Sequence, residues 1–500
     1  MSEIQLDTLT ASEAARDIRA GRLSAEALLD GCLNRIARFN SGLNALVTLD
    51  EAGARAAAKA ADRKRASGGD LPPLLGVPVS IKDAFETRGL RTTASFKPLT
   101  DYVPDRDATV VARLRAAGAV IVGKSNLSEL AGAPHCWSPL FGLTRNPWSP
   151  ALTPGGSSGG AAVAVAAGFS LLEVGSDLAG SIRIPAAYCG VSGFKATENR
   201  IPRTGHIPHL PEHLGGVRSV RRMLSFGALG RSVADLQLGL AVMTGPDGID
   251  SEVPALPVAG ASRRDDGRPL RLLLWDDWGL PLCERTRTVF ARLPETLSAA
   301  GHVLRRGSGA GIDPAELREV FGLIAGAEIG LGMPGWQRHA FLVLRHLLPA
   351  SERLMRAISR GLRFDMRAYN RALDRREQWI RQLEAELADV DALLCPVAST
   401  VAYPGQPLGP FDRPPRLTVA GQRLPYLEAT IGLTVPFSLS GSPVAALPAG
   451  VEDGLPAGVE DGLPVGVQLV GRRWGDDALL AAAARLEPAL GGFLMPPALR

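Results

Sequence analysis

Two glycine-rich segments, TPGGSSGGAAVAVAAG at 153–168 and VGSDLAGSIRIPAAYCGVSGFKAT at 174–197, constrain this chain more than any other part of it. Glycine permits backbone angles closed to other residues and lets neighbouring elements approach closely. In the first segment a glycine-flanked serine pair, Ser157 and Ser158, leads into a helix of alanine and valine whose small side chains let it lie against a neighbour. In the second, Gly175, Gly180 and Ser181 fall in a turn whose amides could converge on an anion. None of the seven histidines lies in either segment, so two serines held in such turns point to hydroxyl chemistry driven by another base.

Lysine is the available base. A free lysine titrates at about 10.4 and is charged at neutral pH, so it has to be desolvated before it can accept a proton. Lys82 follows the apolar run Val77–Ile81, which carries it to the buried end of a strand. There its ammonium loses hydration, and a depressed pKa makes it a competent general base.

The rest of the chain reads as alternating helix and short buried strand, which implies an α/β sheet with crossovers. Residues 10–65 read as helices: Thr10 and Glu13 have capping-box spacing, Ser24 opens a second start with apolar positions at Leu28, Leu29, Cys32, Leu33 and Ile36, and 51–66 is alanine-rich. A helix at 108–117 and a strand at 119–122 follow. Beyond RLLLW near 271 the sequence is mostly helical and arginine-rich to about 390, then DALLCPVAST, SPVAALP and PVGVQLVG supply strands, and 476–486 a last helix. LPAGVEDG occurs twice in tandem, at 447–454 and 455–462, and its turn-forming content suits a surface loop.

Composition narrows the function classes. With 46% hydrophobic and 21% charged residues, 500 residues can bury a large core. A formal charge of +4, spread rather than clustered, lacks the footprint of a nucleic-acid partner. Five scattered cysteines, Cys32, Cys136, Cys189, Cys283 and Cys395, have no metal spacing and read as buried reduced thiols. The acidic start has no apolar signal region and no apolar run reaches 18 residues, so no integral membrane segment is expected and the cytoplasm is the default location.

GGSSGG, then GSDLAGSIRIPAAYCG, with VSIKD upstream, resembles the amidase signature family. The likeness extends to GAVIVGKSNLSEL (118–130), SPLFGLTRNPW (138–148), GRSVADL (230–236) and PVGVQLVG (464–471), and so runs through nearly the whole chain. It implies one large α/β domain over 1–500, a mixed sheet wrapped by helices. The motif-bearing core lies at about 70–240 and 390–490, and a helical region at about 280–390, together with 200–226, chooses the substrate.

It implies a mechanism as well. Lys82 takes a proton from Ser157, and Ser157 from Ser181, as Ser181 attacks an amide carbonyl; the proton returns to the leaving amine, and water then hydrolyses the acyl-enzyme. The family's middle serine follows a cis peptide, here Gly156–Ser157. The backbone amides of Leu178, Ala179, Gly180 and Ser181 form the oxyanion hole, with Ser158, Asp177 and Arg183 in support. No metal or organic cofactor is implied. The partner is a small-molecule amide, and the oligomeric state stays open, a homodimer being one option.

Three positions depart from the family pattern: Ala179 and Ala196 stand where glycine and proline are usual, and Ser438 where asparagine is. If the backbone at 179 needs positive φ, alanine is strained there. GAVIVGKS at 118–125 matches a P-loop letter for letter, but its middle is itself β-branched strand rather than an open loop, which argues against nucleotide binding. WQRHAFLVLRHLL at 336–348 reads foremost as a core or subunit-contact helix, ahead of a flap or membrane-surface patch, with His339 and His346 as surface or packing residues. Two rivals keep the same sequence features. A glutamine-hydrolysing subunit of an amidotransferase is disfavoured by KATENRIPRTG after the second segment, and a catalytically inactive binding scaffold is motivated by Ala179.

Overall fold

The run after Gly76 forms the strand that organises the sheet, because Pro78–Lys82 is apolar or small at each step to the lysine and every residue in it is buried. The computed structural model describes residues 6–207, 220–256, 267–307, 309, 311–408, 412, 414–449, 459–460 and 462–500. Its strands are β1 (Leu46–Leu49), β2 (Pro78–Lys82), β3 (Val120–Ser125), β4 (Trp137–Ser138), β5 (Gly142–Leu143), β6 (Leu172–Asp177), β7 (Ser192–Lys195), β8 (Ser225–Gly230), β9 (Arg271–Leu274), β10 (Val303–Arg306), β11 (Ala392–Pro396), β12 (Leu417–Val419), β13 (Gln422–Leu424), β14 (Val444–Ala449), β15 (Val459–Glu460) and β16 (Leu463–Val470). One mixed sheet runs β1-β3-β2-β6-β8-β7-β14-β16-β11-β9-β10, with β15 paired to β16; β4–β5 and β12–β13 are separate two-stranded pairs. Parallel pairing joins β2 to β3 and β6, and β9 to β10 and β11, while the sheet's centre is antiparallel.

The helices are α1 (Ala11–Arg19), α2 (Ala25–Leu43), α3 (Glu51–Ser67), α4 (Thr109–Ala116), α5 (Gly159–Ala167), α6 (Arg183–Cys189), α7 (Val233–Met243), α8 (Glu284–Ala299), α9 (Pro314–Leu331), α10 (Gly335–Leu344), α11 (Arg353–Gly361), α12 (Met366–Glu386), α13 (Tyr426–Ile431), α14 (Val435–Ser440) and α15 (Asp476–Leu490). Thr10 and Glu13 form the capping box of α1, and Ser24 caps α2. α2 turns Leu28, Leu29, Cys32, Leu33 and Ile36 inward as their spacing predicts, and α3 buries Ala54, Ala58 and Ala61. α5 is buried at every residue. It can be so because its first residues lack side chains: a Cβ on Gly160 would stand 2.5 Å from the backbone N and O of Asn126, and one on Gly159 would stand 2.5 Å from Cys136 Cβ.

The expected single α/β domain with a mixed sheet is the one observed, with differences in detail. Leu46–Leu49, read as helical, is the edge strand β1, antiparallel to β3. The strand expected at 119–122 runs on through Gly123, Lys124 and Ser125. Lys124 of the P-loop-like string is buried, donating to Phe85 O at 2.6 Å and to the hydroxyls of Thr92 and Thr87 at 2.8 and 3.0 Å. Most of the duplicated LPAGVEDG segment lies outside the described residues, but its ends are strand rather than loop, Leu447–Ala449 in β14 and Val459–Glu460 in β15. The 336–348 stretch is not core: Trp336 is 65% exposed, Val343 57% and Leu347 78%, with His339 and His346 also at the surface. No cysteine is disulfide-bonded, and four of the five are buried; Cys283 is only half-buried. Among the described residues no helix is long and apolar enough to cross a membrane.

Candidate active site

Strand β2 delivers Lys82 to the interior with none of its surface exposed. Its Nζ donates to Ser157 Oγ at 2.8 Å and Ser158 Oγ at 2.8 Å, and lies 3.0 Å from Ser176 Oγ and 3.4 Å from Ser176 O. Burial is the largest influence on this amine and lowers its pKa from 10.5 to about 7, against the opposing pull of Cys136, Asp177 and Glu173. Hydroxyl and carbonyl oxygens ring the amine, and among the described residues no carboxylate is in ion-pair contact with it to offset the cost of burying its charge.

Ser157 and Ser158 reach the lysine from the loop ahead of α5, where the Gly156–Ser157 peptide is cis. That loop leaves no room for a side chain at 156, where a Cβ would meet His135 O at 2.1 Å. Ser181 comes from the turn between β6 and α6, and the two segments are tied by Ser158 N donating to Ser181 O at 3.1 Å. Ser181 is partly exposed, as a residue meeting substrate has to be. The lysine and the first serine are thus in direct contact. Among the described residues no hydrogen bond joins Ser157 Oγ to Ser181 Oγ, so the second serine is joined to them through its backbone.

Asp177, the last residue of β6, builds the turn that presents Ser181. Its Oδ1 accepts from Gly180 N at 2.7 Å and its Oδ2 from Ile182 N at 3.0 Å. The same carboxylate takes Arg183 in a two-point grip, Nη2 to Oδ1 at 2.8 Å and Nε to Oδ2 at 3.0 Å. Burial works to raise the Asp177 pKa, but the charge and hydrogen bonds of Arg183 outweigh it and bring it to about 2. Arg183 continues to Thr434 O at 2.8 Å and Ser438 Oγ at 2.7 Å, so the turn is fixed to α14.

This arrangement revises one expectation about the amides. Gly180 N is already given to Asp177, so it is committed to the turn rather than to a ligand. The amides of Leu178, Ala179 and Ser181 have no acceptor among the described residues and remain available. Gly180, at φ 122°, is the residue in the left-handed half of the map, and Ala179 is not, so the alanine sits without strain.

Several contributors escaped the sequence reading. Ser176 meets Lys82 from inside the GSD string, where only its proximity to Asp177 hinted at a role. Thr434 donates to Ala179 O at 2.6 Å from 255 residues away, and no local pattern marks it. Glu173 is buried on β6, and an acid inside the apolar stretch LLEV was its signal. Among the described residues no group of three or more His, Cys, Asp and Glu is placed to hold a metal ion.

A mixed α/β sheet thus brings a buried lysine against paired serines, beside the turn that carries Ser181. The chain belongs to the amidase family, whose model matches residues 27–480. It is similar to a subunit of the Glutamyl-tRNA(Gln) amidotransferase of Roseiflexus sp. (strain RS-1), 34% identical over 502 residues that cover 95% of each chain. A crystal structure of an amidase is 32% identical with a TM-score of 0.75, covering 97% of this chain and 100% of that one. The 6-aminohexanoate cyclic dimer hydrolase in complex with substrate is 25% identical with a TM-score of 0.77, covering 99% of this chain and 100% of that one. This chain is accordingly an amide hydrolase, acting on a carboxamide C–N bond.

Proposed function

We propose that Ser181 is the nucleophile, Ser157 the proton relay and Lys82 the base. Neutral Lys82 takes the Ser157 proton, Ser157 takes that of Ser181, and Ser181 Oγ adds to the amide carbonyl. The tetrahedral oxyanion is met by the amides of Leu178, Ala179 and Ser181. Collapse breaks the C–N bond, the amine leaves with the proton returned along the same path, and water attacks the acyl-enzyme to release the carboxylate. One observation carries the reading: a fully buried lysine, its pKa brought to about 7, donates to Ser157 at 2.8 Å. Ser181 needs a side-chain rotation, or a substrate in place, to complete the relay, since catalytic hydrogen bonds often tighten only in the substrate complex.

On this reading residues 1–500 are one amidase unit acting in the cytoplasm on a small-molecule amide, with the largely helical stretch at 280–390, together with 200–226, selecting the substrate. The test is a fluorophosphonate probe on the purified chain: labelling mapped to Ser181, lost in Ser181→Ala, is the expected result. A folded chain that takes no label would favour the inactive scaffold.

A second reading is favoured by the name of the Roseiflexus relative: a glutamine-hydrolysing subunit that passes ammonia to a partner. Hydrolysis of simple amides by the single purified chain supports the stand-alone enzyme, whereas turnover only with an added second subunit supports the amidotransferase.

A further inference from the structure

Glu173 is an acid in a place where an acid is costly. It is 1% exposed, the second residue of β6, and burial raises its pKa from 4.5 to about 7, against the hydrogen bonds of Ser125 and Ser80 and the charges of Lys124 and Lys82. Its position relative to the base is fixed by strand register. Glu173 pairs with Ser80 of β2, two residues before Lys82 and on the same face of the sheet. Ser125 of β3 pairs with Lys82 itself. Both serines turn their hydroxyls to the carboxylate: Ser125 donates to Oε1 at 2.6 Å and Ser80 donates to Oε2. Ser170 backs Ser80, its hydroxyl 2.6 Å away. The carboxylate is thus gripped at each oxygen, one step along the strands behind the lysine.

We propose that Glu173 is a positioning residue for Lys82, a carboxylate clamped by Ser80 and Ser125 behind the lysine on the same face of the sheet, whose charge favours the protonated amine. The proposal rests on Lys82 acting as the base. In a dry interior an ionised carboxylate favours the ammonium, so Glu173 lifts a lysine that burial alone would drive lower still. A base that is too weak is a poor catalyst, and proton transfer works best with a pKa near the working pH. Each group favours the charged form of the other, Glu173 raising the lysine and Lys82 lowering the acid.

The remaining charged neighbours are accounted for. Lys82 also faces Asp177 at the end of β6 and the Cys136 thiol from the loop before β4. Glu173 also faces Lys124 of β3, which is paired with Asp83 at 3.6 Å. Asp177 is held by Arg183. α5 and β8, packed beside β6, contain no titratable side chain; α7, also against β6, carries the buried Asp235, which accepts from the amides of Ser12 and Arg231; and the buried Cys32 and half-buried Arg35 of α2 lie against Arg231 and Asp7 instead.

The chain contains only six lysines, so lysine-selective 13C labelling gives a countable spectrum in which Lys82→Met assigns the Lys82 signal. The Lys82 midpoint is then titrated in the wild-type chain, in Glu173→Gln and in Ser125→Ala. The expected result is a drop of about one pH unit in Glu173→Gln, a tenfold loss of proton affinity. Ser125→Ala, which removes one donor and so favours the neutral acid, should move the midpoint the same way by less, and it carries the test if Glu173→Gln does not fold. An unmoved midpoint in a folded variant overturns the proposal. Amidase rates against pH separate this from the mechanism: if the midpoint drops while the acid limb of kcat/KM stays put, Glu173 tunes Lys82 as proposed and Lys82 is not the base.

Discussion

Asp177 grips Arg183 through two hydrogen bonds of 2.8 and 3.0 Å, with neither side chain exposed. The same carboxylate holds the amides of Gly180 and Ile182 on either side of Ser181. Asp177→Asn keeps the shape but leaves a buried guanidinium without its counter-charge, a loss of about 3–5 kcal/mol for pairs of this kind. Urea unfolding at pH 7 should report a cost in that range, and kcat should fall at least about tenfold as the turn loosens. Unchanged stability would show that Arg183 finds its partner elsewhere. The folded pKa of Asp177 is depressed, from 3.8 to about 2, so its stabilisation is present above pH 3.8 and is lost as pH falls toward 2.

The surface helix offers a contrasting prediction. Trp336 and Leu347 are 65% and 78% exposed, so most of each side chain faces solvent and its removal costs little packing within the chain. Trp336→Ala and Leu347→Ala should each change unfolding free energy by no more than about 0.5 kcal/mol. A core role would cost about 2–5 kcal/mol instead. Thermal or urea unfolding of the two variants decides between them.

Lys82 makes a prediction about pH. Its folded pKa, near 7, lies below the ordinary 10.5, and a lowered lysine has the opposite sign from a salt-bridged one. Between those values the unfolded chain binds the extra proton, so stability contributed by this site rises with pH across the window 7–10.5 and is weakest below it. Lys82→Met should abolish that slope and make the chain relatively more stable at about pH 6 than at about pH 10, compared with the wild type. In the same experiment kcat/KM of the wild type should rise with pH through about 7, and Lys82→Met should lose at least about a hundredfold in rate. An acid limb that persists in an active Lys82→Met chain would place the base elsewhere.

What the sequence made legible follows from how local each signal is. The run ending at Lys82, the serine pair ahead of α5 and the Asp177–Arg183 turn are written in contiguous residues, and glycine at 156, 159 and 160 announces close approach because a Cβ there meets backbone or side-chain atoms within 2.5 Å. β1 was hidden because four residues between two strong helices carry little periodicity and become strand only by pairing with β3. The core half of the 336–348 reading failed because apolar composition states what a helix could bury, not whether its own chain covers it, and the subunit-contact half is compatible with the exposed Trp336, Val343 and Leu347. Thr434 works through a contact across 255 residues, so only the assembled fold reveals it, and for Glu173 the acid in LLEV marks an oddity whose serine partners only the sheet brings together. The commitment of Gly180 N to Asp177 was equally invisible, because it depends on where one carboxylate oxygen lands.

The last prediction concerns adjacent residues that look interchangeable on paper. Ala179 and Gly180 both line the turn before Ser181, yet their backbones differ. Gly180 has φ 122°, and a Cβ there would lie 2.6 Å from Thr434 Oγ1 and 2.7 Å from Ile184 Cδ1. Gly180→Ala therefore meets both a conformational penalty and a clash. Backbone strain of this sort costs on the order of 1–3 kcal/mol. The turn can relieve it only by letting go of Thr434 or Asp177, which moves the Ser181 amide; under the proposed mechanism that displaces an oxyanion donor, at a cost of about a hundredfold in kcat. Ala179 is outside the positive-φ set and half-exposed, so Ala179→Gly relieves no strain and should leave kcat within about threefold, with a small loss of stability from the more flexible unfolded chain. Measuring kcat for both variants on one amide tests the assignment directly. A large gain in Ala179→Gly would mean that the alanine does constrain the loop, and a fully active Gly180→Ala would mean that the turn before Ser181 does not depend on this geometry.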